Sequence, residues 1–343
     1  MTQDNRPGGS GAMGAIIGWC ADALPARLQE TLNRARMSPV ATRLIRGSAW
    51  SLAGSVTSRI LALLAAVVAA RALGKASYGQ LGIIQSTVGM FGTLAGFGMG
   101  TTATKCVAEY RMRDKVRAGN ALGLSSVVSW GMSSVLAVAL VVSAPWLAEK
   151  GLAAPGLTPY LRLSALLLLL NGVGGAQTGA LAGFEAFRSI ARISAVTGLF
   201  SFACVAIGAV FYGLTGVVLG LICAQAMTCI LSTIAVRGEA REHEIRVSYA
   251  SWKSEASVLW RFSVPAVLGS LLVSPVTWAC NAMLVRLPDG YSQMGALSAA
   301  TQWFGALTWL PYTLSSVTLP MLSERIGASD NVRSSKLLRA AVS

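Results

Sequence analysis

The hydrophobic positions of this chain fall into long continuous runs separated by short polar stretches. A helix needs about 20 apolar residues, each adding about 1.5 Å, to cross the roughly 30 Å hydrocarbon core of a bilayer. Continuous runs of this length, without alternation of period two, are typical of membrane helices. The pattern predicts spans at residues 48–70, 80–103, 121–143, 160–182, 190–212, 214–236, 262–285 and 296–320.

Composition supports a membrane protein. The 343 residues are 54% hydrophobic and 12% charged, with a mean hydropathy of +0.59. Soluble domains contain about 25% charged residues. Because a helix satisfies its own backbone hydrogen bonds inside lipid, the expected fold class is an all-α, polytopic membrane bundle of about eight transmembrane helices.

The net charge of +14 is distributed unevenly between the two sides of the predicted bundle. On a soluble protein it would suggest nucleic acid, but here basic residues cluster between spans on one side, as at 105–117 and 237–261. The positive-inside rule then predicts cytoplasmic termini, with basic loops contacting membrane lipids and no nucleic-acid partner. The opposite side has only Arg71, Lys75, Lys150, Arg162 and Arg286.

Residues suited to catalysis or metal binding are scarce. The six cysteines and the single His243 show no ligand-like spacing, so no metal, cofactor or disulfide framework is predicted. No Asp or Glu lies in the middle of a span, which removes the usual parts of a proton relay. Glu185, at the end of the fourth span, is expected to pair with Arg188 or Arg192.

An internal repeat links two polar stretches of the chain. YGQLGIIQSTVGMFG from Tyr78 and YSQMGALSAATQWFG from Tyr291 are identical at five of fifteen positions, a match that biased membrane composition can also produce by chance. A true repeat would be a parallel duplication of a helical lobe. The predicted organisation is a cytoplasmic leader, a first six-helix lobe, a cytoplasmic linker, the first two helices of a second lobe and a cytoplasmic tail, at residues 1–46, 47–236, 237–258, 259–323 and 324–343.

Arg59 is the one ionisable residue deep inside a predicted span. A charge at this depth costs a few kcal/mol or more, so Arg59 is expected to face a wet cavity or a partner. The alternative is a structural contact or a side chain that extends to the interface. A guanidinium suits an anionic ligand such as a pyrophosphate or an acidic sugar.

Amide side chains also lie inside the predicted spans. They are able to hydrogen-bond sugar hydroxyls, or to join neighbouring helices. All of them except Gln225 are taken, with Arg59, as candidate residues of a substrate cavity. The amides are Gln85, Asn171, Gln177, Gln225, Asn281 and Gln302.

Glycines recur at intervals of four residues in two spans. This spacing places each trio on one helix face, which predicts close helix packing. The trios are Gly92, Gly96 and Gly100, and Gly175, Gly179 and Gly183.

A family resemblance is carried by AARALGKASYGQLG from Ala69, GFGMGTTATKCVAEYR from Gly96, LAGFEAFRSIARISAV from Leu181, FSVPAVLGSL from Phe262 and MGALSAATQWFGALTWLPYTLSSVTLPMLSER from Met294. In this order they resemble the polysaccharide transporter or oligosaccharide (O-antigen) flippase family, which is related to multidrug and toxin extruders. The resemblance implies two six-helix lobes around a central cavity in the bacterial inner membrane. It also implies a transporter, not an enzyme, that moves an undecaprenyl-linked oligosaccharide for surface polysaccharide biosynthesis. A polysaccharide polymerase and glycosyltransferases are the partners to expect. Because members have at least twelve helices, the second lobe is expected to be truncated.

Three other functions stay open on the residues. A membrane-bound glycan polymerase or ligase would need external carboxylates, for which the predicted external connections offer only Glu149 and Asp289. A multidrug exporter of the same superfamily would need buried acids for cationic cargo. An inactive truncated fragment is the third alternative.

Overall fold

The fold is a bundle of helices. A computed structural model describes the backbone at residues 39–96, 98–247 and 273–327, and the side chains at 54–96, 98–247 and 273–308. The described part contains no strand, which confirms the all-α fold class. Its α-helices are α1 (Pro39–Ala95), α2 (Met99–Tyr110), α3 (Lys115–Trp146), α4 (Thr158–Gly183), α5 (Phe187–Glu242), α6 (Val273–Val285) and α7 (Gly290–Gly327).

Four helical stretches are long and apolar enough to cross a membrane. They are Gly54–Ala95, Lys115–Gly151, Pro155–Gly183 and Phe187–Glu242. The second of these includes a π-helical turn after α3, and the third begins with a short 3₁₀ turn before α4.

Glycines interrupt the two longest helices. In α1 the break is at Gly74 (φ 73°), inside the polar stretch between the first two predicted spans. In α5 it is at Gly213 (φ 57°), between the predicted spans 190–212 and 214–236. Both φ values lie in the left-handed region, which glycine adopts without the steric penalty of a Cβ. Beyond Gly213 the chain turns back on itself, because Gly208 contacts the backbone of Gly216 across the break.

Several predicted boundaries differ from the structure. The predicted span 80–103 is divided, because α1 ends at Ala95 and α2 begins at Met99 after a left-handed Gly98 (φ 63°). Glycine counts as apolar in a hydropathy pattern although it favours helix ends, so the pattern missed this break. Helix α1 begins at Pro39 and α5 continues to Glu242, so helix extends into the segments assigned to the leader and the linker, and these two assignments stay predictions. The predictions for residues 1–38, 248–272 and 328–343 lie outside the described residues.

The main hydrophobic core joins α1, α3, α4 and α5. Ile83, Leu140, Leu168 and Val217 are at most 1% exposed and represent these four helices in it. A second, smaller cluster lies at the other end of the bundle, around Val107 and residues of α3, α4 and α5. In a bilayer the alternative to this core is contact with lipid tails, so close van der Waals packing of these side chains fixes how the helices lie together.

Ion pairs connect the α2–α3 loop to the ends of α4 and α5. Arg111 binds Glu185, and Lys115 Nζ lies 2.6 Å from Glu244 Oε2. The expected pairing of Glu185 with Arg188 or Arg192 was therefore wrong. The backbone of Glu185 is left-handed (φ 59°), and its carboxylate contacts Arg111 in the α2–α3 loop. Lys115, by hydrogen bond and charge, lowers the pKa of the Glu244 carboxyl.

The two stretches matched in the sequence repeat contact each other. A Cβ added at Gly79 would overlap the Tyr291 carbonyl oxygen, and one added at Gly295 would overlap the Lys75 carbonyl oxygen. Glycine at these positions allows α1 and α7 to approach backbone to backbone. The Tyr291 hydroxyl also donates to the Leu152 carbonyl oxygen over 2.8 Å.

Side-chain hydrogen bonds join α6 to the second half of α1. The α6 partners are spaced at i, i+4 and i+7, so they lie on one helix face. The bonds join Thr93 Oγ1 to Ser274 Oγ (2.8 Å), Trp278 Nε1 to Thr87 Oγ1 (3.0 Å) and Asn281 Nδ2 to Ser86 Oγ (2.9 Å).

The side-chain amide of Gln177, between α4 and α5, has a hydrogen-bond partner for its nitrogen but not for its oxygen within the described residues. Gln177 Nε2 donates to Thr233 Oγ1 over 2.6 Å, and that hydroxyl donates to the Cys229 carbonyl oxygen over 2.7 Å. Gln177 Oε1 is buried and has no hydrogen bond within the described residues. A buried acceptor without a partner destabilises a fold by about 1–3 kcal/mol.

Gly79→Val is expected to destabilise the protein by about 1–3 kcal/mol, because its new Cβ meets a backbone carbonyl that cannot rotate away. Thermal unfolding in detergent measures this. Gly131→Val is the matched control, since Gly131 is exposed on α3 and an added Cβ meets nothing within 4 Å. Equal unfolding temperatures for the two variants would contradict the close contact.

Gln177→Met is expected to leave the unfolding temperature unchanged or to raise it. The change removes the unpaired Oε1, and the Thr233 hydroxyl keeps its bond to Cys229. Asn281→Leu should lower the unfolding temperature, because Ser86 loses the partner it has in the described structure. If both variants lose the same stability, the Gln177 amide stabilises the α4–α5 contact after all.

Candidate functional site

A cavity of about 670 Å³ lies among α1, α4 and α5, and we call it the α1–α4–α5 cavity. Both halves of α1 and both halves of α5 contribute to its wall, because the breaks at Gly74 and Gly213 bring each second half back beside the first. Its polar lining residues are Ser58, Gln85, Asn171, Thr197, Ser201, Gln225 and Thr228.

Glycines open the wall of this cavity. A Cβ added at Gly89 or at Gly175 would meet nothing within 4 Å, so at both positions the missing side chain leaves open space. The prediction of close packing is confirmed for three of the six repeated glycines: an added Cβ at Gly100, Gly179 or Gly183 would meet the neighbouring helix at 3.0 Å or less. It is wrong for Gly92 and Gly96, which line the cavity and where an added Cβ would meet other atoms only at 3.6–3.7 Å. Gly175 also lines the cavity, but its carbonyl oxygen is the atom that an added Cβ at Gly100 would meet. One face of a helix can contact a neighbouring helix along part of its length and line the cavity along the rest. The four-residue spacing of glycines does not distinguish these two parts.

Three side-chain amides in the wall have no partner in the part of the chain that the structure describes. The side chains of Gln85, Asn171 and Gln225 form no hydrogen bond there. The lining hydroxyls differ, because Thr197 and Thr228 donate to carbonyl oxygens of their own helix, at 2.8 and 2.9 Å. Each amide therefore offers two donor hydrogens and an acceptor oxygen to whatever fills the cavity.

The described lining of the cavity is electrically neutral. It contains no Asp, Glu, Lys, Arg or His, and its remaining side chains are aliphatic, such as Val88, Leu167 and Leu221. Amide groups beside aliphatic surface match a ligand that has both hydroxyl groups and C–H faces. No cluster of His, Cys, Asp or Glu with metal-binding geometry occurs among the described residues.

Of the six candidate residues, the structure brings Gln85 and Asn171 together in this cavity. Arg59 follows the lining residue Ser58, but its own side chain is exposed outside the cavity lining. No acidic partner for Arg59 occurs within the described residues.

The other three candidates lie elsewhere. Gln177 bonds to Thr233, Asn281 bonds to Ser86, and Gln302 is exposed on α7. The candidate set omitted Gln225, although it lies within a predicted span like the amides that were included. Ser58 and Ser201 gave no signal in the sequence, because small hydroxyl residues are common in helix contacts.

Curated proteins similar to this chain include exporters and a sporulation protein. The EPS I polysaccharide export inner membrane protein EpsE of Ralstonia nicotianae (strain ATCC BAA-1114 / GMI1000) is 30% identical over 99 residues, 29% of this chain and 22% of the relative. Stage V sporulation protein B of Bacillus subtilis (strain 168) is 24% identical over 307 residues, 82% of this chain and 58% of the relative. The matches thus cover less than two thirds of these relatives' own lengths.

Solved structures with a similar fold are membrane transporters. An inward-facing multidrug resistance MATE family transporter of the MOP superfamily superposes with a TM-score of 0.68, at 14% identity, over 85% of this chain and 70% of that one. An outward-facing MATE family transporter gives 0.58, at 15% identity, over 82% and 68%. At these identities the likeness concerns the fold, which is that of the MATE transporters.

One family model, described as "Polysaccharide biosynthesis protein", matches residues 44–325, which include every residue that lines the α1–α4–α5 cavity. A match of this extent shows that the chain belongs to the polysaccharide biosynthesis protein family.

Proposed function

We propose that this protein translocates a lipid-linked oligosaccharide across the bacterial inner membrane for surface polysaccharide biosynthesis. The observation that carries the proposal is a cavity of about 670 Å³ whose described lining is uncharged and combines amides and hydroxyls with aliphatic side chains, in a member of the polysaccharide biosynthesis family with a MATE-like fold. The similarity to an inner membrane polysaccharide exporter supports it.

The physical task of such a protein is to replace water around the glycan. A hydroxyl that enters hydrocarbon without a hydrogen-bond partner costs about 2–7 kcal/mol, so an unassisted oligosaccharide does not cross. The α1–α4–α5 cavity offers unpaired amides within about 670 Å³, in the range of about 300–1,000 Å³ that ligand sites occupy. Moving a glycan in this way breaks no covalent bond, and the proposed role is that of a transporter and not an enzyme.

We assign to Arg59 the role of binding the charged part of the lipid-linked cargo. It follows the cavity residue Ser58 by one position on α1, so a phosphate bound at Arg59 would lie next to a helix that lines the cavity. A guanidinium stays protonated and binds phosphate oxygens in pairs. With the termini in the cytoplasm, the glycosyltransferases that build the glycan and the polymerase that uses it are the partners to expect.

Export of a drug is the second candidate, because solved neighbours of this fold are multidrug transporters. Cationic drugs need an acidic counter-charge in a low-dielectric site. The described lining of the cavity has none, which favours the glycan.

Arg59→Ala is expected to reduce surface polysaccharide about tenfold or more, because a hydrogen bond to a charged group contributes about 1.5–3 kcal/mol. The measurement is cell-surface polymer in cells whose own copy has been replaced, at matched protein level. Arg59→Lys keeps the charge without the paired geometry and should give an intermediate amount. Arg162→Ala, which removes an exposed cation on α4, is the control and should leave the polymer unchanged. Normal polymer in Arg59→Ala cells would remove Arg59 from the mechanism.

A further inference from the structure

We propose that the α1–α4–α5 cavity is a binding site for an uncharged glycosyl unit, which Gln85, Asn171 and Gln225 hydrogen-bond through its hydroxyl groups. This inference rests on the proposed function and narrows it. The charged and the neutral parts of the cargo are bound at two different places on α1.

The contrast between amides inside and outside the cavity points to a ligand. Gln177 and Asn281, which lie between helices, donate to hydroxyls at 2.6 and 2.9 Å. Gln85, Asn171 and Gln225, which line the cavity, have no bond to the described residues. If these three amides served helix packing, they would be bonded like the other two. Their free groups instead converge on one space.

Two glycines in the cavity wall have open space where a Cβ would stand, although the Gly175 carbonyl oxygen also contacts Gly100 of the neighbouring helix. A glycine inside a helix destabilises it by about 0.5–1 kcal/mol relative to alanine. At Gly79 this cost is offset by a close backbone contact, but at Gly89 and Gly175 an added Cβ would touch nothing. The effect of glycine at these two positions is to keep the cavity wide, which accords with a site that holds a bulky group.

The neutral lining selects the class of ligand. A phosphate or a uronic acid in this cavity would lose water and find no cation among the described lining residues, and a cation would find no acid. An acyl chain would leave the amides without partners. A neutral sugar ring matches both the amides and the aliphatic side chains of the lining. Its hydroxyls donate hydrogen bonds to the amides and accept them, and its C–H faces contact aliphatic side chains such as Leu167 and Leu221.

Cysteine protection tests the proposal on the purified protein. The natural cysteines are replaced by alanine, and Gly89→Cys then places a thiol in the cavity, where an added Cβ meets no atom. A charged, membrane-impermeant methanethiosulfonate should label it. Gly131→Cys, on the exposed apolar face of α3, is the matched control and should stay unlabelled in lipid nanodiscs. The probes are methyl glucoside, methyl galactoside and N-acetylglucosamine, with glucuronate as the anionic comparison.

A neutral sugar at about four times its Kd leaves roughly a fifth of the sites free, so labelling at Gly89→Cys should slow about fivefold. Glucuronate at the same concentration should not slow it. The further change Asn171→Leu should abolish protection and leave the unprotected labelling rate as it was, which separates loss of binding from loss of folding. Absence of labelling, absence of protection by all three neutral sugars, or equal protection by glucuronate would each overturn the proposal.

The outcome is independent of the transport assay. Protection by neutral sugars together with normal polymer in Arg59→Ala cells would retain this site and remove Arg59 from the mechanism. Loss of polymer in those cells without sugar protection would retain transport and reject this site.

Discussion

The hydrocarbon core of a membrane contains no water, and this constraint governs the rest of the structure. Every polar group that enters the core needs a partner supplied by protein. Many hydroxyls on the helices meet this need locally, as Thr87 does by donating to the Ile83 carbonyl oxygen over 2.8 Å and Ser164 by donating to that of Leu161. The amides of the α1–α4–α5 cavity depart from this pattern. Amides that line a cavity and have no partner among the described residues are available to a ligand, whereas the buried Gln177 Oε1 lies between helices.

Glycine has three different structural roles in this fold, and the surroundings of each glycine determine its role. At Gly213 it supplies a left-handed backbone that lets the chain turn between two membrane-crossing helices. At Gly79 it permits one helix to approach another's carbonyl oxygen. At Gly89 it leaves room for something outside the fold. The first two roles stabilise a contact or a turn, whereas the third gives up helix stability for space.

The sequence was sufficient for what depends on hydropathy alone. It predicted the helical class and placed a boundary between two spans at residue 213, where the helix breaks. It failed where backbone conformation or three-dimensional neighbours decide the outcome. Hydropathy does not report backbone conformation, so the predicted span 80–103 continued across the helix break at the left-handed Gly98. The partner of Glu185 is Arg111, 74 positions away in the sequence, and the amides of the cavity are distinguished only by what lies opposite them in three dimensions. Nothing local in the sequence separates Gln225 from Gln177.

A neutral binding site also has a kinetic advantage for transport. A carrier must bind its cargo well enough to admit it and weakly enough to release it. In a low-dielectric interior the attraction between two charges is poorly screened, so a buried ion pair is hard to break during transport. Hydrogen bonds between neutral groups contribute about 0.5–1.5 kcal/mol each, and several of them can form and break in turn. In the arrangement we propose, the amides hydrogen-bond the sugars and Arg59, which lies outside the described cavity lining, binds the phosphate. Each step of the passage then breaks only weak interactions with the glycan.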